Sequence, residues 1–293
     1  MPRIKPKKHG GEGVVFTFRN YRPWQKLLIG LCALLFFFYI AFPFYWIIVT
    51  SFKGTFEIYE VPPRLIPSHI NLDNYIRAFQ EFGIGRFVLN SLKVTLITVL
   101  FTTVISMCAA YALTRMEFPG RRAIRSALSL TQMFPVIVLL VPLYIMCVNL
   151  KLYNSLEALY LPYIALQVPV SIMLQTSFFI GIPKEMEEAA FIDGCNRIQA
   201  IFYVILPLAV SGIVSVGIYT FVMVWQEFLL ASTFTNKPEF YTLTVGLSTF
   251  KGDYATEWGA LMATSVIIAI PALVLFTATQ SFFINNLSGG VKE

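Results

Sequence analysis

Residues 183–207 read PKEMEEAAFIDGCNRIQAIFYVILP, a charged stretch set between two long apolar runs. A connection between two membrane spans needs only a few turn residues. Lys184, Glu185, Glu187, Glu188 and Asp193 instead carry the marks of a formed helix. Pro183 stands at a first-helical position, acidic residues follow where the helix dipole favours them, and Gly194 sits where a helix stops. The segment is expected to be a surface helix built to touch something outside the membrane.

The rest of the chain is a membrane sequence. Hydrophobic residues make up 57% of it and charged residues 13%, and mean hydropathy is +0.69, whereas soluble domains carry about a quarter charged residues. The 27 Phe and 14 Tyr suit a lipid-facing surface with interfacial anchors. The net charge of +6 gathers largely in Arg3, Lys5, Lys7, Lys8, Arg19, Arg22 and Lys26, just before the first apolar run. That placement is an orientation signal first and an anionic-lipid contact second, and no nucleic-acid motif accompanies it. Cys32, Cys108, Cys147 and Cys195 are isolated and suggest no disulfide framework or metal spacing. The run from Leu27 to Thr50 is too long for a signal-peptide core and ends in Trp46 and Lys53 rather than a small-residue cleavage site.

Six apolar runs approach the roughly 20 residues that cross a bilayer: Leu27–Thr50, Phe87–Leu113, Ala127–Val148, Leu156–Ile180, Phe202–Ala231 and Gly259–Ile284. They predict an all-α integral membrane protein of six transmembrane helices. Its expected organisation is a basic tail (1–26), a transmembrane domain (27–284) with a polar loop at 181–200, and a short polar tail (285–293). With the N-terminus inside, the inner segments hold the seven basic residues above, Arg115, Arg121, Arg122, Arg125, Lys184, Arg197 and Lys292. The outer segments hold Lys53, Arg64, Arg77, Arg86, Lys151, Lys237 and Lys251. This bias places both termini and the Glu-rich helix in the cytoplasm. Outside lie a long loop from Ser51 to Arg86, with an amphipathic piece around Leu72–Phe82, and a second from Thr233 to Trp258.

The groups an enzyme would need are missing. The histidines are His9 and His69, both outside the spans, and neither GxSxG nor a GxxxxGK[ST] phosphate loop occurs. No catalytic residue, metal site or cofactor is therefore expected. Gln132, Gln167 and Gln175 fall within spans, where they either line a hydrophilic pathway or bridge helices at about 0.6 kcal/mol each. Trp225 and Glu227 lie near the outer end of the fifth run. They are pathway candidates too, although an interfacial, neighbour-satisfied Glu227 is the simpler reading. Pro43, Pro135, Pro142, Pro162, Pro169 and Pro271 lie inside spans, where they either kink helices around a pathway or reflect the ordinary abundance of proline in transmembrane helices. The 183–197 helix carries more acid than base, so an anionic inner leaflet repels it and a protein with a basic cleft suits it better.

At these residues a resemblance enters. Glu188, Ala189 and Ala190, then Gly194, then a spacer of nine residues (Cys195–Tyr203) before Val204-Ile205-Leu206-Pro207, resemble the EAA loop of ABC importer permeases. Val204 stands where that motif usually has Ile. The Ile192-Asp193-Gly194 filling is similar to the carbohydrate branch, the maltose-type permeases. Asn71 to Tyr75, Asn90 to Leu92, Arg115 to Gly120, Trp225 to Leu229 and the ending Gly289 to Lys292 agree with it.

The resemblance implies the type I permease fold in a bacterial cytoplasmic (inner) membrane. Glu187, Glu188, Ala189, Ala190, Asp193, Gly194, Leu206 and Pro207 would form a coupling helix seated in a cytoplasmic ATPase subunit. Glu188 would pair with a basic group there. ATP and magnesium would be bound by that partner and not by this chain. The expected assembly is a second homologous permease, two ATPase subunits and an external solute-binding protein touched through Tyr241, Thr244, Lys251 and Asp253. The cargo would be a di- or oligosaccharide. An acidic or phosphorylated solute, such as a uronate oligosaccharide (alginate fragments) or glycerol phosphate, is the alternative, and an ion-coupled secondary carrier a more distant one.

Overall fold

The computed structural model describes residues 22–252 and 256–289, with residues 280–289 given by backbone alone. Every regular element among them is helical, and a single isolated bridge joins Lys251 to Thr256. The first half of the chain forms α1 (Pro23–Ser51), α2 (Thr55–Ile58), α3 (Asp73–Gln80), α4 (Ile84–Arg115), α5 (Arg121–Thr131), α6 (Val136–Asn149) and α7 (Glu157–Ile180). There follow α8 (Glu185–Ile192), α9 (Arg197–Ala200), a π-helical turn (Ile201–Ile205), α10 (Leu206–Trp225), α11 (Leu229–Phe234), α12 (Leu243–Ser248) and α13 (Trp258–Gly289).

Among the described residues, α1, α4, α7, the rod Arg197–Trp225 and α13 are each long and apolar enough to cross a membrane. The third expected span differs from a single helix: α5 and α6 meet at a bend of 97°. Pro135 causes the break. Its ring restrains Phe134 away from helical backbone, and it starts α6 with an extended ψ of 129°. At about 1.5 Å per residue, the 14 residues of α6 rise roughly 21 Å, short of the ~30 Å hydrocarbon core. The third expected span is therefore built of two helices. The fifth ends at Trp225, not Ala231, because the chain turns at Gln226 and Glu227 before α11 begins. Helix α13 continues to Gly289, past the boundary expected at Ile284. The basic residues Arg3 to Arg19 and the ending from Gly290 lie outside the described residues.

Helix α4 is the centre of the bundle, packed most extensively on α7 and next on α10. Its packed face carries Ser91, Thr95, Thr98, Thr102 and Ser106, all buried. Between helices in lipid there is little hydrophobic gain, so small side chains that admit close backbone approach are favoured. Their hydroxyls can bond back into their own helix, as Thr98 does to the Val94 carbonyl at 2.8 Å. The same closeness appears at Gly212 of α10, where an added Cβ would lie 2.5 Å from Phe178 of α7. Helix α1 stands at the edge and packs on α13. Its apolar side chains from Leu27 to Phe44 remain uncovered, as a lipid-facing helix allows.

The end of the bundle opposite α8 is closed by loops whose backbone groups are satisfied by side chains. Asn74, at the expected amphipathic piece now seen as α3, donates to the carbonyls of Ser51 (3.0 Å) and Lys53 (2.7 Å). Asn90 donates to the carbonyls of Glu239 and Tyr241, and the Ser91 hydroxyl accepts from the Leu243 amide. Gly259 packs under Asn74, where a Cβ would meet Oδ1 at 2.1 Å. Gly259→Ala is expected to displace that amide and destabilise the protein by about 1–3 kcal/mol. Thermal unfolding in detergent measures it, and Asn74→Ala in the same chain should add far less than its separate cost, since the two positions share one contact.

Candidate functional site

Helix α8 runs as the sequence suggests, although it starts at Glu185, two residues after Pro183. The Pro183 carbonyl accepts from the Met186 amide at 3.4 Å, a tight first turn. The helix stops at Gly194, whose φ of 90° lies in the left-handed region that a side chain disfavours. The Gly194 amide reaches the Phe191 carbonyl (3.1 Å) and the Cys195 amide the Ala190 carbonyl (2.9 Å). These are the paired bonds of a Schellman C-cap. Asn196 then opens α9 with a reciprocal cap: its side chain accepts from the Gln199 amide at 2.9 Å, while Gln199 Oε1 accepts from the Asn196 amide at 2.8 Å.

Leu206 and Pro207 have a local reason as well. Pro207 has no amide hydrogen, and its ring would crowd the Tyr203 carbonyl one turn back. The chain widens there into a π-turn, in which the Leu206 amide reaches back five residues to Ile201. The small-turn and proline positions of the motif thus set the angle between α8 and the long rod of α10.

The acidic residues of α8 divide into two groups. Glu187 is buried and turns into the bundle. Its Oε1 accepts from the Tyr111 hydroxyl at 2.5 Å, and its Oε2 lies 3.5 Å from Arg115 Nε. Arg115, the last residue of α4, also donates to the carbonyls of Ile182 (2.7 Å) and Phe179 (3.3 Å), where α7 ends. One guanidinium therefore joins the ends of α4 and α7 to α8. Glu185, Glu188, Ala189 and Asp193 face outward, together with Met186, Phe191 and Ile192, the last 86% exposed. Ala190 is buried against the bundle. Of the expected coupling residues, Glu188, Ala189 and Asp193 lie on the free face, while Glu187 and Ala190 form the seat. The sequence reading missed Tyr111 and Arg115, and the only local signal was a terminal Arg closing a span.

The other site candidates are not brought together with α8. Gln132 is exposed and donates to Leu128 within its own turn. Gln175 is fully buried between helices, and neither of its amide atoms has a partner among the described residues. Gln167 is half-buried with an unpaired Oε1. Among the described residues none of the three hydrogen-bonds to a second helix. Trp225 is also buried: it stacks on Phe221 and donates to the Ile268 carbonyl, in the turn of α13 that Pro271 perturbs. Glu227 is tied down locally, accepting from the amides of Leu230 (2.8 Å) and Ala231 (3.1 Å) and from the Tyr163 hydroxyl. It caps α11, in agreement with the simpler reading. Thr244 donates to the Glu227 carbonyl at 2.6 Å, Tyr241 is half-buried, and Lys251 is exposed. Asp253 lies outside the described residues. Among the described residues no cluster of His, Cys, Asp and Glu is fit to hold a metal ion.

Residues 102–288 match the family described as binding-protein-dependent transport system inner membrane component. The chain is similar to the sulfoquinovosyl glycerol transport system permease protein SmoH of Agrobacterium fabrum, 39% identical over 252 residues, covering 86% of this chain and 88% of that one. It is 33% identical over 272 residues to the trehalose/maltose transport system permease protein MalG of Thermococcus litoralis, covering 92% and 97%. Among solved structures, a chain of a bacterial ABC transporter involved in import of the acidic polysaccharide alginate superposes with a TM-score of 0.78. It has 20% identity, with 90% of this chain and 99% of that one covered.

Separate substitutions distinguish the two faces of α8. Glu187→Ala leaves the Arg115 guanidinium buried without its carboxylate and should cost about 3 kcal/mol or more. Glu188→Ala, on the free face, should change stability by less than about 0.5 kcal/mol. Thermal unfolding of the two purified variants, with limited proteolysis of the 181–200 loop, reads the difference. Equal behaviour would mean that Glu187 is not the anchor.

Proposed function

The chain belongs to the family of binding-protein-dependent transport system inner membrane components, and from that premise we propose that it carries carbohydrate across a membrane by passing the motion of a partner ATPase through α8. It is a permease subunit of the ABC importer type, a multi-pass membrane protein and not an enzyme. The carbohydrate assignment rests on relatives named for a glycosyl glycerol and for trehalose and maltose. A di- or oligosaccharide is the preferred cargo.

The observation that carries the mechanism is the two-faced α8. Its inner face is bound to the ends of α4 and α7 through Glu187, Arg115 and Tyr111. Its outer face offers Glu185, Glu188 and Asp193 around the exposed apolar Phe191 and Ile192. An apolar centre rimmed by acid fits a groove with an apolar floor and basic walls. The proposed occupant is a cytoplasmic ATPase subunit, one of two that bind ATP and magnesium. A second permease would cover the part of the bundle that lipid does not. An external solute-binding protein would meet the opposite end, through the segment that holds Tyr241, Thr244 and Lys251. A secondary carrier is disfavoured, because Glu227, the acidic group in the fifth run, is taken up by capping α11.

Reversing the outward charge tests the docking. Glu188→Lys should leave the chain folded and inserted, yet cut transport and solute-stimulated ATP hydrolysis by roughly tenfold or more, the effect of a like charge in a charged contact. Survival of both activities would sink the proposed salt bridge. The proposed cytoplasmic side of α8 has its own check. In a chain whose remaining cysteine is Cys195, a membrane-impermeant maleimide should label inverted vesicles and spare right-side-out ones.

A further inference from the structure

Beside the start of α8 lies a cavity of about 280 Å³ lined by Arg115, Arg121, Arg125 and Lys184, with Ile180 and Ile182 on its apolar side. The four cations come from α4, α5 and the approach to α8. Only Arg115 has a carboxylate partner; Arg121, Arg125 and Lys184 enter no ion pair among the described residues. Arg125 donates to the Leu113 carbonyl at 2.5 Å, and Arg121 makes longer contacts to Thr114 (3.5 Å) and Met116 (3.4 Å). A guanidinium has five donors, so these carbonyl bonds leave most of them unused. Arg125 Nε is shut away from solvent and has no hydrogen-bond partner among the described residues, while Arg115, 6% exposed, turns its Nε to Glu187.

The simpler account is that these residues cap the carbonyl ends of α4 and α7. A helix end carries about half a negative charge, so two such ends fall short of balancing three unpaired cations. Water answers the exposed Lys184, and an anion in the cavity would answer the half-buried Arg121 and Arg125 as well. The cavity sits where α4 and α7 both end, at the plane where the spans leave hydrocarbon. Its lip is apolar, with Ile180 64% exposed. A soluble phosphate compound has no use for that lip, whereas an amphiphile fills both parts. Arginine forks match phosphate oxygens, and basic pockets at the ends of membrane helices suit anionic head groups.

We propose that this cavity binds the phosphodiester head group of an anionic membrane lipid, clasped between the ends of α4 and α7 and the start of α8. Lys184 lies immediately before α8, so a bound lipid stiffens the seat of that helix. The inference stands apart from the transported solute and from which side of the membrane α8 faces.

The test uses the full-length chain, purified with whatever partners it retains, without ATP or solute, so that failure of the importer reading leaves it intact. Native mass spectrometry with titrated phosphatidylglycerol and phosphatidylcholine should show preferential retention of phosphatidylglycerol. Retention should weaken about fivefold for each charge removed in Lys184→Gln and Arg121→Gln. Arg122→Gln removes a charge from the same helix outside this cavity and should leave retention unchanged. Unchanged retention in the first two variants, or equal weakening in the third, overturns the site. Displacement of the lipid by inorganic phosphate at comparable concentration overturns the lipid assignment and points to a soluble phosphate compound.

Discussion

The arrangement depends on Arg115. A buried guanidinium is costly unless its donors and its charge are both answered, and here the answers come from three elements. The Phe179 and Ile182 carbonyls at the end of α7 accept from it. Glu187 of α8 balances it and is itself held by Tyr111, one turn earlier on α4. Because each group is satisfied only when the others are in place, α4, α7 and α8 are locked as one body at this end. The Schellman stop at Gly194 and the π-turn before Pro207 then fix how α8 leads into α10.

The opposite end solves a different problem with similar means. Loops packed into the end of the bundle have backbone groups that water cannot reach, so side-chain amides, hydroxyls and one carboxylate take that place. Asn74 ties the end of α1 to α3, Asn90 and Ser91 hold the segment before α12, and Glu227 starts α11. Polar residues near membrane spans suggest a solute path, yet here most of them complete backbone hydrogen bonding. Gln175 is the exception, buried with both amide atoms unpaired among the described residues.

How much could be read in advance follows from the range of each interaction. Helix α8 and its stop at Gly194 were legible because caps and charge runs are local, and the long apolar runs showed most of the spans. The break before α6 was not, because Pro135 looks like the prolines that α7 and α13 absorb within continuous helices. Nor could sequence separate Glu187 from Glu188. They are adjacent and chemically identical, and the choice of which turns inward is made by Arg115 and Tyr111, more than seventy residues earlier. The stretches that carried the family resemblance, around Asn74, Asn90 and Glu227, prove to be backbone ties. The resemblance thus located structural ties there.

The locked junction bears on how a permease of this kind transmits force. Shifting a two-state bundle from almost wholly one state to almost wholly the other takes about 5.5 kcal/mol of differential binding. If α8 could be pulled from its seat for less, a closing ATPase would peel the helix away and leave the spans where they were. Breaking the Arg115–Glu187 pair costs about 3–5 kcal/mol, and the charged hydrogen bond from Tyr111 to Glu187 adds roughly 1.5–3 kcal/mol. Peeling is then the more expensive route, and the load passes into α4 and α7. The exposed face works under the opposite constraint, since a groove that gripped it equally in both states would bind tightly and move nothing. That explains the division of labour along one short helix. The inner attachment is buried and hydrogen-bonded, while Glu188 and its exposed neighbours are free for the contact proposed above, whose strength would change between states.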